Sequence, residues 1–234
     1  MSSLYVIGHL KTNGGAARDK VLAALTTVAE YSQAHEPGVL KFCVALPRAD
    51  EGDETSVFAI EDAAHKRYAD QSALDTHMGS KPVKALVQTF ESDSTLFSAP
   101  PAIYGLASAL RPAASFTRAG INSQADPLLI FANFAYQAGG TARAMPGWEA
   151  LVGRARADEP GTLSYTVLRD SESEWVRTVE AYVSREFLDG VHVKSEAVAA
   201  NQRQNGEWRT GEKEVFRLRM LAGYLYKEEE GQRS

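Results

Sequence analysis

The chain of 234 residues has little of three things: cysteine, basic charge and long apolar runs. Its one cysteine, Cys43, excludes an internal disulfide and a cysteine cluster for zinc or iron–sulfur. The 25 Lys and Arg residues stand against 30 Asp and Glu, and the resulting net charge of −5 argues against a nucleic-acid partner. No apolar run approaches the roughly 18 residues that a membrane-spanning helix needs. We therefore expect neither nucleic acid nor a membrane as a partner.

The N-terminal segment gives no targeting signal. It carries no basic cluster and runs directly into residues 4–10, which are rich in β-forming side chains, so a secretory signal is not predicted. Hydrophobic residues make up 44% and charged residues 24% of the chain, fractions that are ordinary for a globular protein. A cytoplasmic globular protein is the simplest interpretation.

Three short motifs recur in the same order, which predicts an internal repeat. They are Gly-Gly at residues 14–15 and 139–140, Glu-Pro-Gly at 36–38 and 159–161, and His-x-x-Ser at 77–80 and 192–195. Pro fixes φ and Gly allows a positive φ, so each Glu-Pro-Gly copy is typical of a sharp turn that leads into a strand. We predict two diverged copies of one unit, residues 1–110 and 127–234, joined by a small, polar linker at 111–126.

Each copy has the predicted order strand, helix, strand, strand, helix, strand. The predicted strands are residues 4–10, 39–46, 55–61 and 101–110, and then 128–136, 163–169, 175–183 and 214–226; the helices are a segment ending near Glu36 and residues 72–88, and then 145–157 and 184–202. This order is the ferredoxin-like split βαβ motif, so the predicted fold class is α+β. Its antiparallel sheet has helices on one face only. Two such βαββαβ units can cover each other's open faces, which predicts an intramolecular dimeric α/β-barrel.

The units resemble the antibiotic biosynthesis monooxygenase domain of the dimeric α+β-barrel superfamily. The resemblance rests on the Gly-Gly pair after the first strand, on the Pro-Gly turn before an aromatic-bearing strand, and on the element after the third strand, residues 68–77 and 182–192. Members of this family usually pair as homodimers. The resemblance therefore implies a fused pair, a pseudo-dimer within one chain, with further self-association left open.

The same resemblance implies an activity, because the family includes cofactor-free oxygenases of anthrone and quinol substrates. It implies a monooxygenase with O₂ as co-substrate and no cofactor, acting on a small hydrophobic metabolite that is aromatic, quinol-like or lipid-derived. Such a substrate is deprotonated to an anion that reacts with O₂, so the protein must supply an apolar pocket, a proton acceptor and hydrogen-bond donors. Haem-degrading relatives need an axial His where this chain has Val87 and Gln202, so haem cleavage is not expected.

Four residues are the predicted catalytic groups. His77 and His192 recur at the matching helix position, and a side chain with a pKa near neutrality suits a proton acceptor. A structural His on the helix surface or in the core is the competing interpretation. Tyr68 and Tyr182 could donate a hydrogen bond to a developing oxyanion, although half-buried packing is the commoner role of a Tyr.

Six residues are the predicted substrate contacts: Asn133, Arg177, Tyr165, Phe42, Phe131 and Trp175. Asn133 is polar among apolar neighbours and needs a partner, and Arg177 could hold an anionic group. The first copy has Gly8 and Phe58 at the matching places, so we hypothesise that the second copy keeps the polar pocket while the first is partly structural. No two His residues have the spacing of metal ligands on a helix, so no metal site is predicted.

Two other functions fit the same residues. One is a non-catalytic barrel that binds a small metabolite, with the His residues in structural roles. The other is cyclase or dehydratase chemistry, which uses acid–base groups in the same pocket but no oxygen. Oxygen consumption separates both from a monooxygenase.

Overall fold

The computed structural model describes residues 2–65, 73–106, 110–170 and 173–227. They form two compact units. The first contains the described residues up to 106 together with 220–227, and the second contains residues 110–170 and 173–219. No helix within these ranges is long and apolar enough to cross a membrane.

The first unit has the ferredoxin-like order that the sequence predicts. Its elements are β1 (Ser2–Lys11), α1 (Gly15–His35), β2 (Val39–Pro47), β3 (Ser56–His65), α2 (Ala73–Gly79), α3 (Lys81–Ser92) and β4 (Ala102–Tyr104). The strands lie in the order β4-β1-β3-β2, and β1 is antiparallel to both of its neighbours. Helix α1 packs on the sheet because Val21, Leu25, Val28 and Ser32 recur on one side of it and are buried.

The second unit repeats this order with a longer edge. Its elements are β5 (Arg111–Thr117), β6 (Leu128–Tyr136), α4 (Gly140–Asp158), β7 (Thr162–Arg169), β8 (Trp175–Tyr182), α5 (Arg185–Phe187), a π-helical turn (Leu188–His192), α6 (Glu196–Asn205) and β9 (Arg209–Tyr224). The strands lie in the order β9-β6-β8-β7-β5. Strand β9 belongs to this unit up to Arg219, and its last residues belong to the first unit. The α+β class with two ferredoxin-like units is therefore confirmed.

The predicted linker is wrong, because residues 111–126 contain strand β5 and a short 3₁₀ turn, Ile121–Ser123. Strand β5 pairs antiparallel with β7, so that Phe116 lies opposite Tyr165 and is buried. Small and polar residues such as Ser115 hide this strand in the sequence, since only one large apolar side chain marks its inner face. The segment is part of the second unit.

Two helix predictions also need correction. The helix predicted at 72–88 is two helices, α2 and α3, which separate at Ser80, an extended residue before α3. The helix predicted at 184–202 is likewise interrupted, and Ser195 caps α6 by accepting a hydrogen bond from the backbone N–H of Val198. Each break follows a His by three residues, so the His-x-x-Ser motif marks the point where one helical segment ends and another begins.

The glycines of the two Glu-Pro-Gly turns serve close packing and not a left-handed backbone. Neither Gly38 nor Gly161 has a positive φ. A Cβ atom on Gly38 would lie 2.6 Å from Cβ of Ala73, and one on Gly161 would lie 2.5 Å from the ring of Phe187. The missing side chain therefore lets the helical segment after the third strand approach the turn.

Candidate active site

Each unit buries a His against the Glu of its Glu-Pro-Gly turn. Nδ1 of His77 lies 2.7 Å from Oε2 of Glu36, and Nδ1 of His192 lies 2.7 Å from Oε2 of Glu159. All four side chains are at most 7% exposed. The repeated turn and the repeated His thus form one pair in each unit. The sequence interpretation treated the turn as a scaffold and missed its Glu, although the Glu and the His recur together.

The Glu is placed by the end of the preceding long helix. The backbone N–H of Glu36 closes the last turn of α1, and that of Glu159 closes the last turn of α4. A cation then satisfies the carbonyls at each helix end: Nζ of Lys227 donates to the carbonyl of Glu36, and the guanidinium of Arg118 donates to that of Glu159. The following Pro and Gly turn the chain, so the Glu side chain faces the helical segment that carries the His.

In the first unit, both ring nitrogens of His77 face carboxylates. Nε2 lies 3.4 Å from Oε2 of Glu61, on β3, while Nδ1 is held by Glu36. Burial alone would lower the pKa of His77, but the carboxylates of Glu61 and Glu36 outweigh it and raise the pKa to about 9. His77 is therefore an imidazolium at neutral pH and has no lone pair with which to accept a proton.

In the second unit, only one nitrogen of His192 is engaged. Burial would raise the pKa of Glu159, but hydrogen bonds from His192 and Thr162 outweigh it and lower the pKa, so Glu159 is a carboxylate that accepts from Nδ1. Within the described ranges no hydrogen bond reaches Nε2 of His192. Neutral His192 thus carries its proton on Nδ1 and a lone pair on Nε2.

Two tyrosines lie beside the second carboxylate of this unit. The hydroxyl of Tyr182 donates to Oε2 of Glu180 at 2.6 Å, and Tyr165 pairs with Glu180 in register across β7 and β8. Burial and the Glu180 carboxylate raise the pKa of both phenols well above the ordinary value, so both remain donors. The rings of Tyr165 and Tyr182 also contact His192, with centroids 5.5 and 5.2 Å away. Tyr182 is thereby committed to Glu180, which differs from its predicted role as an oxyanion donor.

The first unit has no hydroxyl at either corresponding position. Phe42 pairs with Glu61 in register as Tyr165 pairs with Glu180, and its ring contacts His77. Ala63 lies two residues after Glu61 on the same strand, where the second unit has Tyr182 two residues after Glu180. Glu61 therefore keeps its carboxylate for His77.

Each His borders a cavity of its own unit. The cavity of the second unit measures about 260 Å³ and is bounded by His192, Tyr165, Trp148, Leu151, Ile130, Ala132, Phe134, Asn201, Gln202, Arg209, Lys213 and neighbouring side chains. The cavity of the first unit measures about 250 Å³, and its walls are apolar apart from His77 and Glu61: Val6, Leu10, Leu25, Val28, Met78, Val83, Leu86, Val87, Phe90, Ile103 and Leu106. Glu180 and Asp189 also border it, so the second cavity combines apolar walls with basic, acidic and amide groups.

Four predicted substrate contacts lie away from this cavity. Ile130 and Ala132 face it, and because side chains alternate along a strand, Phe131 and Asn133 point to the other face of the sheet. Arg177 pairs with Asn133 in register, and Trp175 shares its face. None of the four lines the cavity.

These residues have structural partners of their own. Arg177 forms a buried ion pair with Asp170, with Nη1 2.9 Å from Oδ2. The side-chain amide of Asn133 donates to Glu214 at 2.8 Å. Phe131 stacks on Phe216, with ring centroids 5.9 Å apart. The structure thus brings together His192, Tyr182 and Tyr165 but not the other four, and the predicted Tyr68 lies outside the described residues.

The match between Asn133 and Gly8 is wrong by one residue. Val6 pairs with Glu61 as Ile130 pairs with Glu180, so the counterpart of Asn133 is His9 and not Gly8. A shift of one residue along a strand moves a side chain to the other face.

No group of His, Cys, Asp and Glu side chains in the described part of the chain is arranged to hold a metal ion.

The comparisons with known proteins agree with this fold. Residues 3–89, which lie in the first unit, match the family model Antibiotic biosynthesis monooxygenase. A putative monooxygenase from Lactobacillus acidophilus NCFM is similar over 97% of this chain and 100% of its own, with 16% identity and a TM-score of 0.72. A putative monooxygenase from Fusobacterium nucleatum is similar over 97% of this chain and 98% of its own, with 13% identity and a TM-score of 0.71.

A third solved structure, an anthrone oxidase-like protein, covers 97% of this chain and 94% of its own at 15% identity, with a TM-score of 0.62. At these identities the likeness shows the fold alone. No curated protein matches the chain in sequence.

Proposed function

We propose that this chain, whose residues 3–89 match the antibiotic biosynthesis monooxygenase family model, is a monooxygenase whose working site is in the second unit. Its substrate is a small hydrophobic metabolite with an acidic C–H or O–H bond, such as an anthrone or a quinol, and its co-substrate is O₂. One observation carries the proposal: His192 is held by Glu159 through Nδ1 and has Nε2 available beside a cavity.

The first step is proton transfer from the substrate to Nε2 of His192. Glu159 then stabilises the imidazolium that forms, because its carboxylate already accepts from Nδ1. The apolar walls of the cavity, including Trp148 and Leu151, hold the flat anion and exclude water.

The second step is oxidation of the substrate anion by O₂. The anion donates electrons to O₂ and forms a C–O bond; the O–O bond then breaks, the carbon becomes a carbonyl, and the other oxygen leaves as water. A CH₂ group and O₂ thus give a C=O group and H₂O. The substrate supplies every electron, so the reaction needs no separate reductant and no cofactor.

The first unit has a different role in this proposal. His77 cannot accept a proton while both of its nitrogens face carboxylates. Its charge instead links α2 to the turn that follows α1 and to β3.

Oxygen uptake tests this function. We expect the purified chain to consume O₂ with one or more members of an anthrone and quinol panel, to consume one O₂ for each carbonyl formed, and to do so equally with and without a chelator. Binding without oxygen uptake would favour a metabolite-binding protein. Product without oxygen uptake would favour a cyclase or dehydratase.

A further inference from the structure

Arg209, which begins strand β9, is fixed beside the cavity of the second unit. Its guanidinium carbon lies 4.9 Å from the ring centroid of Phe134, 5.3 Å from that of Trp148 and 5.9 Å from that of Tyr136. Nε donates to the hydroxyl of Tyr136 at 3.2 Å, and Nη2 donates to Oδ1 of Asn201 at 2.9 Å. The side chain is therefore held in one orientation before any ligand binds.

No carboxylate among the described residues forms an ion pair with this guanidinium. Its hydrogen-bond partners, Tyr136 and Asn201, are both uncharged, and within the described ranges no ion pair includes Arg209. Nη1 donates to none of the described side chains. A half-buried Arg with an unpaired edge facing a cavity is suited to bind an anion through charge-assisted hydrogen bonds.

The strand adds a second cation on the same side. Lys213 follows Arg209 by four residues on β9 and also lines the cavity. The acidic side chains at this cavity are otherwise engaged: Glu180 accepts from Tyr182, and Asp189 is exposed beside Arg185. The cavity of the first unit has neither Lys nor Arg in its lining. The basic edge is thus particular to the second unit.

Arg209 and His192 both border the cavity of the second unit, His192 from the turn before helix α6 and Arg209 from the strand after it. The guanidinium also contacts Asn201, which lies within α6. A ligand that touches both side chains meets the cation and the proton acceptor through different atoms.

We propose that the second cavity contains a carboxylate-binding subsite formed by Arg209 with Lys213, and that its substrate carries a permanently ionised carboxylate separate from the group that loses a proton to His192. The one free edge of the guanidinium matches a carboxylate in size and charge. This inference deepens the proposed function and rests on it for the identity of the reacting carbon, but the binding of the carboxylate does not depend on turnover.

Anaerobic binding tests the subsite without turnover. An anthrone carboxylic acid and its methyl ester are titrated into the chain, and binding is followed by tryptophan fluorescence, since Trp148 borders the cavity. We expect the acid to bind about 10- to 100-fold more tightly than the ester, as expected for a charge-assisted hydrogen bond in a partly buried site. Equal affinity for the two compounds would overturn the inference.

Variants locate the effect. Arg209→Gln should abolish the preference for the acid, and Arg209→Lys should retain part of it. Arg203→Gln is the matched control, because Arg203 is exposed on α6 and does not line the cavity, and it should keep the full preference. A preference for the acid that survives in Arg209→Gln would also overturn the inference. If Arg209→Gln does not fold, the acid and the ester are compared in Arg209→Lys. An undiminished preference for the acid in Arg209→Lys would then count against the guanidinium contact.

The same compounds separate the two proposals. In air, Arg209→Gln should raise KM for the acid with little change in kcat. If the acid binds preferentially but no compound drives oxygen uptake, the subsite stands and the monooxygenase proposal fails. If oxygen is consumed but the acid has no advantage, the reverse holds.

Discussion

The two units hold the same His–Glu pair and differ in what their second carboxylate contacts. In the first unit Glu61 faces Nε2 of His77, whereas in the second Tyr182 donates a hydrogen bond to Glu180 and Tyr165 lies beside it. The consequence is chemical, because a His between two carboxylates stays protonated while a His with one carboxylate can act as a base. Among the described residues, only the first unit thus has a carboxylate facing each nitrogen of its His.

The cavities of the two units also differ, in the polarity of their linings. Four of the large apolar side chains that remain exposed, Met78, Val87, Ile103 and Leu106, border the first cavity. The second cavity has Arg209 at its edge. The first cavity is apolar and lies beside a protonated His, whereas the second is polar and lies beside a free Nε2 atom. The two copies therefore share the fold and the His–Glu pair, and only the second has the features that the proposed chemistry needs.

Replacing the two histidines in turn gives the largest expected difference. His192→Ala should lower the rate of oxygen uptake by about 10²- to 10⁴-fold, the usual contribution of a positioned base, whereas His77→Ala should cause no comparable loss. The rate is measured for both purified variants after circular dichroism has shown that they are folded. Equal losses in the two variants would contradict the assignment of the base to the second unit.

Replacing the Glu that contacts each His should affect the two units in the same way as replacing the His, but with a smaller change in rate. Glu159→Gln removes the charge that stabilises the His192 imidazolium, and we expect kcat to fall by about 10- to 100-fold, the effect of losing a hydrogen bond to a charged group. Glu36→Gln is the matched change in the first unit and should leave kcat unaltered while lowering thermal stability. A fall in kcat with Glu36→Gln would show that the first pair also takes part in turnover.

The stability of the chain should depend on pH through His77. Its pKa is raised from 6.5 to about 9 in the folded state, so the stabilisation is fully present below pH 6.5 and is lost as the pH rises through 9. We expect about 2 kcal/mol to be lost across this window, after allowing for the solvent near Glu61. Urea unfolding of the wild type and of His77→Gln from pH 6 to 10 measures it. A gap between the two proteins that stays constant with pH would contradict the double carboxylate contact.

Exchanging the aromatic residue beside the second carboxylate should have the smallest effect. Tyr165→Phe removes the hydroxyl group beside Glu180, and we expect kcat to fall by about 2- to 10-fold, the size of effect expected for a single buried polar contact. The reciprocal change, Phe42→Tyr, offers Glu61 a hydroxyl and should lower the pKa of His77, as NMR titration of its ring protons measures. An unchanged titration would show that the hydroxyl does not compete with His77 for Glu61.

The sequence predicted the features that depend on periodic patterns. Of the predicted substrate contacts, Phe42 and Tyr165 each lie against the His of their own unit, and the recurring motifs identified both His residues. It did not predict the Glu contacts, because an acidic residue in a turn is common and its partner lies 41 residues away in the first unit and 33 in the second. Only the tertiary fold joins the two.

Arg209 was missed for a local reason. The final strand was predicted from residue 214, since Gly211 interrupts the β pattern with a φ of 91°. Strand β9 nevertheless begins at Arg209, and its register against β6 shifts between Phe134 and Tyr136. The anion-binding role was assigned to Arg177 instead, which the alternation of β8 places on the opposite face.

The structure of an anaerobic complex with an anthrone or quinol substrate tests the central claim most directly, because without O₂ the substrate stays intact. We predict that the substrate occupies the cavity of the second unit, with the atom that loses its proton within about 3 Å of Nε2 of His192, the reach of a general base. A substrate in the cavity of the first unit beside His77, with the second cavity empty, would contradict the account.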